Sequence, residues 1–323
     1  MSYRPTVLVY GHDGLDPDVS VNLLHAYRQA GCRPFLSRRL VPADVVCVER
    51  TPCEALDLSA YRLVHVLDYA CQANEAFLRA LQPHPAVTVF FPSARRRDEQ
   101  LESAPGLERA ARVLLPPVAV PLWRARPRRK RDLALVHVGN FKPYYRDRSD
   151  PYATALLDLA QAGDLHLWGQ GWEGCAPPAL QHGKAALRDV SAIYADTRVA
   201  LGMMYPYQRN RTISGRFWHA PLNGALLLSE AGKLDLPIPG VLHVPELPSP
   251  AELERLLSRH DADAVARQAQ AYWSAQALDF TQALVTPALR GLGRGGSLDR
   301  EWAYLRSWPS ALARQAAQAL RRR

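Results

Sequence analysis

The sequence predicts an α/β protein with two Rossmann-like, doubly wound domains that face each other across a cleft. Short apolar runs rich in β-branched residues alternate with helical patterns in both halves, as in parallel βαβ units. A stretch rich in proline and arginine interrupts every periodic pattern from 116 to 132. A single sheet would need about eleven strands, which is longer than usual, and 323 residues suffice for about two domains.

In the first half, a strand predicted at 6–10 ends at Gly11 and is followed by a helix over 19–31. Further buried strands are predicted at 44–48, 63–67, 87–91 and 113–115, with a helix over 74–81. Apolar strands that alternate with helices indicate a parallel sheet. We therefore place a first Rossmann-like domain at 1–118.

A linker at 119–132 precedes a second series of the same kind, which we place in a domain at 133–290. Its strands are predicted at 133–138, 165–168, 199–203, 225–229 and 241–244. Its helices are predicted at 152–162, 191–195, 216–223, 251–259 and 262–278.

A last helix is predicted at 300–322, within a helical tail that we place at 291–323. Its apolar residues recur at helical spacing, a pattern more typical of core packing than of ligand contact. We expect this tail to pack back on the first domain. The stripe consists of Trp302, Leu305, Trp308, Leu312 and Ala316.

The net charge of +9 is concentrated in two short segments. Six cations and no acid lie at 124–131, and the chain ends in Arg321-Arg322-Arg323, so these nine charges account for the whole excess. A neutral remainder gives poor support for a groove that tracks phosphates, and nucleic acid is not an expected partner. Both segments are either solvated or in peripheral contact with an anionic membrane surface.

Apolar runs and cysteines bear on the location of the protein. The longest apolar runs, such as 7–10 and 225–228, are far shorter than the roughly 20 residues of a membrane span. The N-terminus lacks the long apolar core and cleavage site of a signal peptide. The five cysteines show no C-x-x-C spacing, which is typical of reduced packing residues. We therefore expect a cytoplasmic protein.

The first candidate site follows the strand predicted at 133–138. Gly139-Asn140-Phe141-Lys142 stands at its carboxyl end, where ligands bind in open α/β sheets. A glycine lets backbone approach a phosphate, and a following helix turns N–H groups toward it. Lysine is scarce here, with only four against 36 arginines, so Lys142 is not simply the default cation. The alternative is a surface loop with scattered charge.

The second candidate site is Gly169-Gln170-Gly171-Trp172, into which the strand predicted at 165–168 opens. The two glycines allow a tight turn and a close approach of ligand. Trp172 offers a flat face for stacking on a base or sugar. A Gly-x-Gly motif by itself is a weak indication.

The third candidate site is a polar, arginine-rich loop that runs into the helix predicted at 216–223. Ser214 is expected to cap this helix. The helix N-terminus, together with Arg211 and Arg216, would favour a diphosphate through dipole and charge. The apolar strand that follows ends in an acid, Glu230.

In this order, the three motifs resemble the C-terminal domain of the CgeB-like group of GT-B glycosyltransferases, which is related to glycosyltransferase family 4. The shared skeleton is a strand with Gly-Asn, a strand with Gly-x-Gly-Trp, a short helix around Ile193-Tyr194, and Arg-Phe-x-x before Gly-Ala-Leu-Leu-Leu-Ser-Glu. The resemblance covers residues 133 to 245 and rests on order and spacing. In the first half, only the general GT-B plan of a glycine-rich first loop is similar.

The resemblance implies a GT-B fold with a nucleoside-diphosphate sugar in the cleft, held mainly by the C-terminal domain. The N-terminal domain would then hold the acceptor. Carried over residue by residue, Gly139, Asn140 and Lys142 approach the diphosphate, and Arg216 helps to hold it. The segment from Gly169 to Trp172 would border the base.

The sequence departs from family 4 at two positions. That family places a glutamate five residues before the glycine of the last motif to bind the ribose hydroxyls, and a second glutamate eight residues earlier near the sugar. His219 and Arg211 stand at those positions here. Ribose recognition is therefore expected from Glu230 or His219, and the retaining mechanism of the family is not assumed.

No metal and no cofactor is expected. Asp16-Pro17-Asp18 and Asp261-Ala262-Asp263 match the D-x-D spelling of metal-dependent enzymes, but neither ends an apolar strand within a nucleotide-binding domain. The GT-B plan needs no metal, because helix dipoles and cationic side chains can stabilise a leaving diphosphate.

An inverting reaction would need a base for the acceptor hydroxyl. His12 and Asp13, in the loop after the first strand, are the best placed candidates, and Asp68 after the strand at 63–67 is the next. A turn residue without chemistry is an equally good interpretation of His12.

The sequence thus predicts a glycosyltransferase that moves a sugar from a nucleoside diphosphate to a polysaccharide, glycolipid or glycoprotein. A nucleotide-sugar 2-epimerase of the same fold is one alternative, although it would be expected to bring several acidic residues into the cleft, and few are found. A catalytically silent GT-B-like binding module is the other, because both family glutamates are replaced.

Overall fold

The computed structural model describes residues 4–11, 17–50, 56–69, 75–125, 131–146, 149–204, 208–230, 237–244 and 246–285. These residues form two compact units. The first comprises the described residues up to Ala119 and those from Ser274 onward, and the second runs from Val120 to Trp273. Each unit contains one parallel sheet with helices, which confirms the predicted α/β class with two doubly wound sheets.

The first unit has a six-stranded sheet in the order β2-β1-β3-β4-β5-β6, with every neighbouring pair parallel. Its strands are β1 (Thr6–Gly11), β2 (Arg33–Ser37), β3 (Val45–Arg50), β4 (Leu63–Leu67), β5 (Val87–Phe91) and β6 (Ala111–Val113). Its helices are α1 (Pro17–Gln29), α2 (Glu75–Leu81) and α3 (Ala94–Ser103). Alternate strand residues pack into two separate apolar clusters, so the sheet is buried on both faces.

Two elements of this unit were not predicted, and each has a local reason. The sequence Arg-Pro-Phe-Leu-Ser of β2 contains Pro34, which argues against a central strand, and β2 is indeed an edge strand, where a missing N–H is tolerated. Helix α3 is almost entirely polar and shows no apolar stripe. It is held at its start by Ser93, whose side chain accepts a hydrogen bond from the N–H of Arg96.

The second unit has a five-stranded parallel sheet in the order β11-β10-β9-β7-β8. Its strands are β7 (Leu133–Val138), β8 (His166–Trp168), β9 (Thr197–Gly202), β10 (Leu226–Ser229) and β11 (Val241–His243). Its helices are α4 (Val120–Trp123), α5 (Pro151–Ala162), α6 (Leu187–Ala195), α7 (Arg216–Leu222), α8 (Pro250–Arg259) and the part of α9 (Ala262–Asp279) up to Trp273. The chain passes from β7 to β8 on one side and returns to β9 on the other, so the strand order reverses between β7 and β9.

Two described residues of the predicted linker, Ala125 and Arg131, are anchored in the second unit. Arg131 belongs to the basic run, yet it is half-buried and donates hydrogen bonds to the carbonyls of Thr197 at 2.6 Å and of Asn223 at 2.9 Å. The side-chain oxygen of Asn223 accepts from the N–H of Ala125 at 2.7 Å. Arg131 is therefore a structural residue, and the interpretation of this position as solvated linker is wrong. The residues between these anchors, 126–130, lie outside the described ranges.

The end of the described chain returns to the first unit. Phe280 and Val285 have no exposed surface and lie in the same apolar cluster as β1 and α1. The ring of Phe280 contacts those of Phe90, at a centroid distance of 5.3 Å, and of Tyr27, at 6.4 Å. The domain predicted at 133–290 had included these residues, whereas the structure groups them with the first unit. The tail predicted at 291–323 lies outside the described residues.

Among the described helices, none combines the length and the hydropathy that a membrane span needs.

Replacement of Phe280 by alanine should destabilise the first unit by about 3 to 5 kcal/mol, because it removes a buried aromatic ring and leaves a cavity. Denaturant unfolding followed by circular dichroism measures this loss. Leu278→Ala is the matched control, since the Leu278 side chain is 51% exposed and should be nearly neutral. Equal losses in both variants would show that the returning segment does not stabilise the unit.

Candidate functional site

Arg216 bridges two strands at the carboxyl edge of the second sheet. Its Nε donates a hydrogen bond to the carbonyl of Val138, the last residue of β7, at 2.7 Å. Its Nη1 donates to the carbonyl of Met203, which directly follows β9, at 2.9 Å. The guanidinium therefore lies where the strand order reverses, which is the position where open α/β sheets bind ligands.

The third nitrogen of this guanidinium lies against Gly139. A Cβ at position 139 would overlap Nη2 of Arg216 and would stand 3.0 Å from Nε2 of His137. Nη2 donates to no residue in the described part of the chain, and no described carboxylate pairs with Arg216. Glycine is thus required here for packing, and the two N–H groups of Nη2 on a fixed cation remain for a ligand.

The first two predicted motifs form one structure. The N–H of Gly139 donates to the carbonyl of Trp168 at 2.7 Å, and the N–H of Phe141 donates to that of Gln170 at 2.8 Å. The side-chain oxygen of Asn140 accepts from the N–H of Gln170 at 3.0 Å. Asn140 therefore holds the two glycine loops together, so its side-chain oxygen is already engaged within the protein.

Both glycines of the second motif are needed for their backbone positions. Gly169 has φ +149°, and a Cβ there would overlap the carbonyl of Gly139. Gly171 has φ +83°, and a Cβ there would stand 3.2 Å from that of Phe141. Side chains rarely adopt such φ values, so only glycine allows this close approach of the two loops.

Trp172 does not offer the stacking face that the sequence predicted. It is only 2% exposed, and its Nε1 donates to the carbonyl of Gly139 at 2.8 Å. Its ring packs edge-on against His137, at a centroid distance of 5.3 Å, and against Phe141, at 5.2 Å. Because its indole ring is buried in the core, a base cannot stack on it. Trp172 instead supports the Gly139 loop through its hydrogen bond to the carbonyl of Gly139.

His137 lies beneath the same loop and is neutral. It has no exposed surface, and its Nδ1 is 3.0 Å from the carbonyl oxygen of Leu201. Burial, with a further contribution from the charge of Arg216, lowers the pKa of His137 to about 3. A neutral ring lets the cation of Arg216 stand beside it without a second positive charge.

The third predicted motif is only partly correct. The first residue before α7 is Gly215, and no side chain caps this helix. The hydroxyl of Ser214, predicted to be the cap, is buried without a hydrogen-bond partner among the described residues. The capping prediction is wrong because the N-cap position of α7 is occupied by Gly215, one residue after Ser214. Arg211, by contrast, is partly exposed in the loop before α7.

His219 is not available to a ribose. It is 2% exposed, and its ring packs edge-on against Trp123 of α4 at a centroid distance of 4.8 Å. Its place is thus in the contact between α7 and α4. Of the two ribose candidates, only Glu230 lies at the carboxyl edge of the sheet, directly after β10.

Glu230 belongs to a cluster of charges at that edge. Its Oε1 accepts from the N–H of Met204 at 2.5 Å, and its Oε2 lies 2.9 Å from Nη2 of Arg209. Arg209 also forms an ion pair with Asp150. Burial raises the pKa of Glu230 to about 7, although Met204 and Arg209 act in the opposite direction. The carboxyl is therefore poised to change its charge near neutral pH.

Cations also stand at the Gly139 loop. Lys142 is partly exposed, and the guanidinium of Arg146 lies over the ring of Phe141 at 5.2 Å. A short 3₁₀ turn at Pro143–Arg146 follows the Gly139 loop, and the helix predicted at 152–162 comes after it, as expected. Helix α5 begins at Pro151, and the carboxylate of Asp150 already accepts from the N–H of Ala153. One N–H group of the first turn of α5 is thus already engaged, and donation by the other N–H groups to a phosphate stays a prediction.

Of the three predicted bases, only Asp68 lies within the described residues. Asp68 follows β4, has no exposed surface and forms an ion pair with Arg96, with 2.6 Å between Oδ2 and Nε. Arg96 is nearly buried as well, so Asp68 has a structural role in holding α3 to the sheet edge. His12 and Asp13 lie outside the described residues.

Sequence reasoning missed three residues of the second unit. Asp150 carried a usable signal, because an aspartate before Pro151 is typical of a helix start. His137 could have been flagged as a polar residue within an apolar strand. Arg209 carried no signal, because only the folded loop brings it to Glu230.

Among the described residues, no group of three or more histidine, cysteine, aspartate or glutamate side chains could hold a metal ion.

No protein-family model matches the chain, and none of the curated proteins matches it. Solved structures do match. AviGT4, a glycosyltransferase involved in avilamycin A biosynthesis, is 15% identical with a TM-score of 0.59, and the match covers 89% of this chain and 98% of AviGT4. Anabaena Alr3699/HepE, solved with UDP and glucose, is 12% identical with a TM-score of 0.57 over 86% of this chain and 98% of its own.

A third solved structure is a DNA-modifying β-glucosyltransferase, studied with and without its substrate uridine diphosphoglucose. It is 11% identical with a TM-score of 0.50 over 89% of this chain and 99% of its own. Identities this low show the fold alone. The two parallel sheets therefore belong to the GT-B fold of glycosyltransferases, as predicted.

Gly169→Ala should destabilise the second unit by about 1 to 3 kcal/mol through backbone strain alone, with a further loss because the Gly139 carbonyl must move. Thermal and denaturant unfolding measure the change. Gly174→Ala is the control: Gly174 also has positive φ, at +75°, but a Cβ there meets nothing within 4 Å. If the two variants lose equal stability, the close approach of the two loops is not what requires a glycine at 169.

Proposed function

We propose that the chain is a glycosyltransferase that moves a sugar from a nucleoside-diphosphate sugar to an acceptor. The observation that carries the proposal is the position of Arg216. Its guanidinium is fixed by two backbone carbonyls where the strand order reverses, and Nη2 remains over Gly139. A fixed cation at this edge suits a diphosphate, because phosphate oxygens accept charged hydrogen bonds from arginine.

The diphosphate would lie over the Gly139 loop. Gly139 has no side chain to block it, and Lys142 adds charge from the same loop. The leaving diphosphate gains negative charge as the glycosidic bond to it breaks, so a cation already held in place stabilises the transition state without reorganisation. Because these side chains supply that charge, we propose transfer that does not depend on a metal.

The ribose would be bound by Glu230. A carboxylate accepts hydrogen bonds from both hydroxyls of a ribose, and Glu230 is the acid that follows β10 at this sheet edge. Gly169 and Gly171 would shape the border of the base, with Trp172 as packing below them.

Two of the structural neighbours favour a uridine nucleotide as the first donor to test. Alr3699/HepE was solved with UDP and glucose, and the DNA-modifying enzyme was studied with uridine diphosphoglucose. The resemblance of the three motifs to the CgeB-like group supports the same donor class. A carbohydrate or glycoconjugate is the proposed acceptor, and the basic C-terminal residues would bring the protein to an anionic membrane surface where such acceptors are assembled.

A silent binding module is the second candidate. Two observations favour it: His219 replaces the ribose glutamate of family 4 and is buried, and Asp68 is engaged with Arg96. Slow hydrolysis of a bound sugar nucleotide would exclude this candidate, because hydrolysis requires an intact leaving-group site.

Thermal unfolding with a panel of UDP, GDP, dTDP and CMP sugars tests the proposed function, because a ligand that binds the folded state raises the melting temperature. We expect stabilisation by one nucleotide class, unchanged by a chelator. Arg216→Ala should weaken donor binding and reduce the shift, since one charged hydrogen bond contributes about 1.5 to 3 kcal/mol.

The same variant also loses the two bonds to Val138 and Met203, so its own unfolding must be measured in parallel. Arg188→Ala is the control, because Arg188 is exposed on α6. Stabilisation by none of the sugar nucleotides, or an undiminished shift in folded Arg216→Ala, would refute the proposed site.

The base is tested with His12→Ala, Asp13→Ala and Asp68→Asn. At least one variant should keep donor binding and lose turnover by about 10² to 10⁴. Asp68→Asn also weakens a buried ion pair, so Asp98→Asn, which alters an exposed pair with Arg97, serves as its control. Full activity in all three variants would sink this assignment and favour a mechanism in which the departing phosphate takes the proton.

A further inference from the structure

Arg209 stands between two carboxylates at the carboxyl edge of the second sheet. Its Nη2 forms ion pairs with Asp150, before α5, and with Glu230, after β10. Both acids are more buried than the arginine: the side chains of Asp150 and Glu230 are 13% and 3% exposed, against 29% for Arg209. Arg209 is thus the most exposed of the three charged side chains.

The position of Asp150 is fixed independently of Arg209. Its side chain accepts from the N–H of Ala153 at 3.0 Å, and Pro151 follows it at the start of α5. The backbone at Asn210 has φ +62°, so the chain turns sharply just after Arg209. The guanidinium of Arg209 is therefore held by its ion pair with Asp150, and its backbone is followed directly by the turn at Asn210.

Among the residues that the structure describes, the charged and polar groups that act on Glu230 come from three elements. The loop before α7 contributes Arg209, the start of α5 contributes Asp150, and the segment after β9 contributes the N–H of Met204. Burial, which has the largest effect, and the charge of Asp150 raise the pKa of Glu230, whereas the N–H of Met204 and the charge of Arg209 lower it, and the resulting pKa is about 7. The neighbouring charges thus determine how far the effect of burial on Glu230 is offset.

We propose that Arg209, held by Asp150, is a positioning residue that keeps Glu230 ionised and directed at the ribose hydroxyls of the nucleotide donor. The inference rests on the proposed function for the ribose, but not for the ionisation of Glu230. Arg209 itself is engaged with two acids, so it does not serve the diphosphate as Arg216 does. An ionised Glu230 accepts two hydrogen bonds from the ribose, whereas the protonated acid has lost one of those acceptors.

Opposite charges beside Glu230 give the inference a signature that a purely structural role lacks. Loss of Arg209 removes a positive charge and should raise the pKa of Glu230. Loss of the charge of Asp150 should lower it. Asparagine at 150 can still cap α5, so Asp150→Asn changes charge with little change in structure.

The first measurement is carboxyl NMR of Glu230 in the ligand-free full-length chain, titrated across neutral pH. We compare the wild type with Arg209→Gln, Arg209→Lys and Asp150→Asn. The midpoint should rise in Arg209→Gln, fall in Asp150→Asn, and stay close to the wild type in Arg209→Lys. Arg188→Gln, which removes an exposed arginine paired with Asp189, should not move it.

The second measurement is the affinity for UDP as a function of pH. Binding needs the carboxylate, so affinity should be full above the midpoint of Glu230 and should fall as the pH drops through it. Each unit by which a variant raises that midpoint should weaken binding about tenfold at a pH below it. Arg209→Gln should therefore bind UDP weakly at neutral pH and recover at higher pH, and Asp150→Asn should retain binding to lower pH.

The outcomes separate the two proposals. Midpoints that do not move, or that move in the same direction in Arg209→Gln and Asp150→Asn, would overturn the role of Arg209 even where the wild type binds UDP tightly. If Arg209→Gln does not fold, Asp150→Asn and Arg209→Lys still decide the matter. Should the wild type bind no nucleotide at all, the proposed function and the ribose role both fall, while the titration still shows whether Arg209 controls the charge of Glu230.

Discussion

The candidate site depends on one constraint, the bridge that Arg216 makes between the ends of β7 and β9. Carbonyl groups at the carboxyl edge of a parallel sheet lack a partner once the strands end, and the guanidinium satisfies those of Val138 and Met203 together. The same bonds fix the cation where the strand order reverses. Arg216 therefore has a structural role, because it links the ends of two strands, in addition to its proposed role in binding.

The residues around this bridge follow from it. Nη2 of Arg216 occupies the space in which a side chain at Gly139 would stand, and the neutral ring of His137 lies beside it. Trp172 supports the loop through its bond to the carbonyl of Gly139. A cation at this depth is tolerated because carbonyl oxygens and an uncharged histidine surround it, whereas a second positive charge would be repelled.

Large aromatic and polar side chains in the predicted motifs took different roles from those expected. Trp172 and His219 looked like ligand contacts because a ring beside a glycine turn suits a base or a sugar. Both rings are buried instead, because each has neighbours from a separate part of the chain: Phe141 for the tryptophan and Trp123 for the histidine. Burial removes the large apolar surface of each ring from water, which stabilises the fold and leaves no face exposed for a ligand.

The sequence by itself determined the two doubly wound sheets, most strand positions and the edge at which Gly139, Gly169, Arg216 and Glu230 stand, because hydrophobic periodicity and glycine turns are local properties. It could not decide which charges meet. Arg209 is one of several arginines in its loop, and only tertiary structure brings it between Asp150 and Glu230. The return of Phe280 to the first unit was likewise invisible, since helical spacing identifies an apolar face but not the core that it enters.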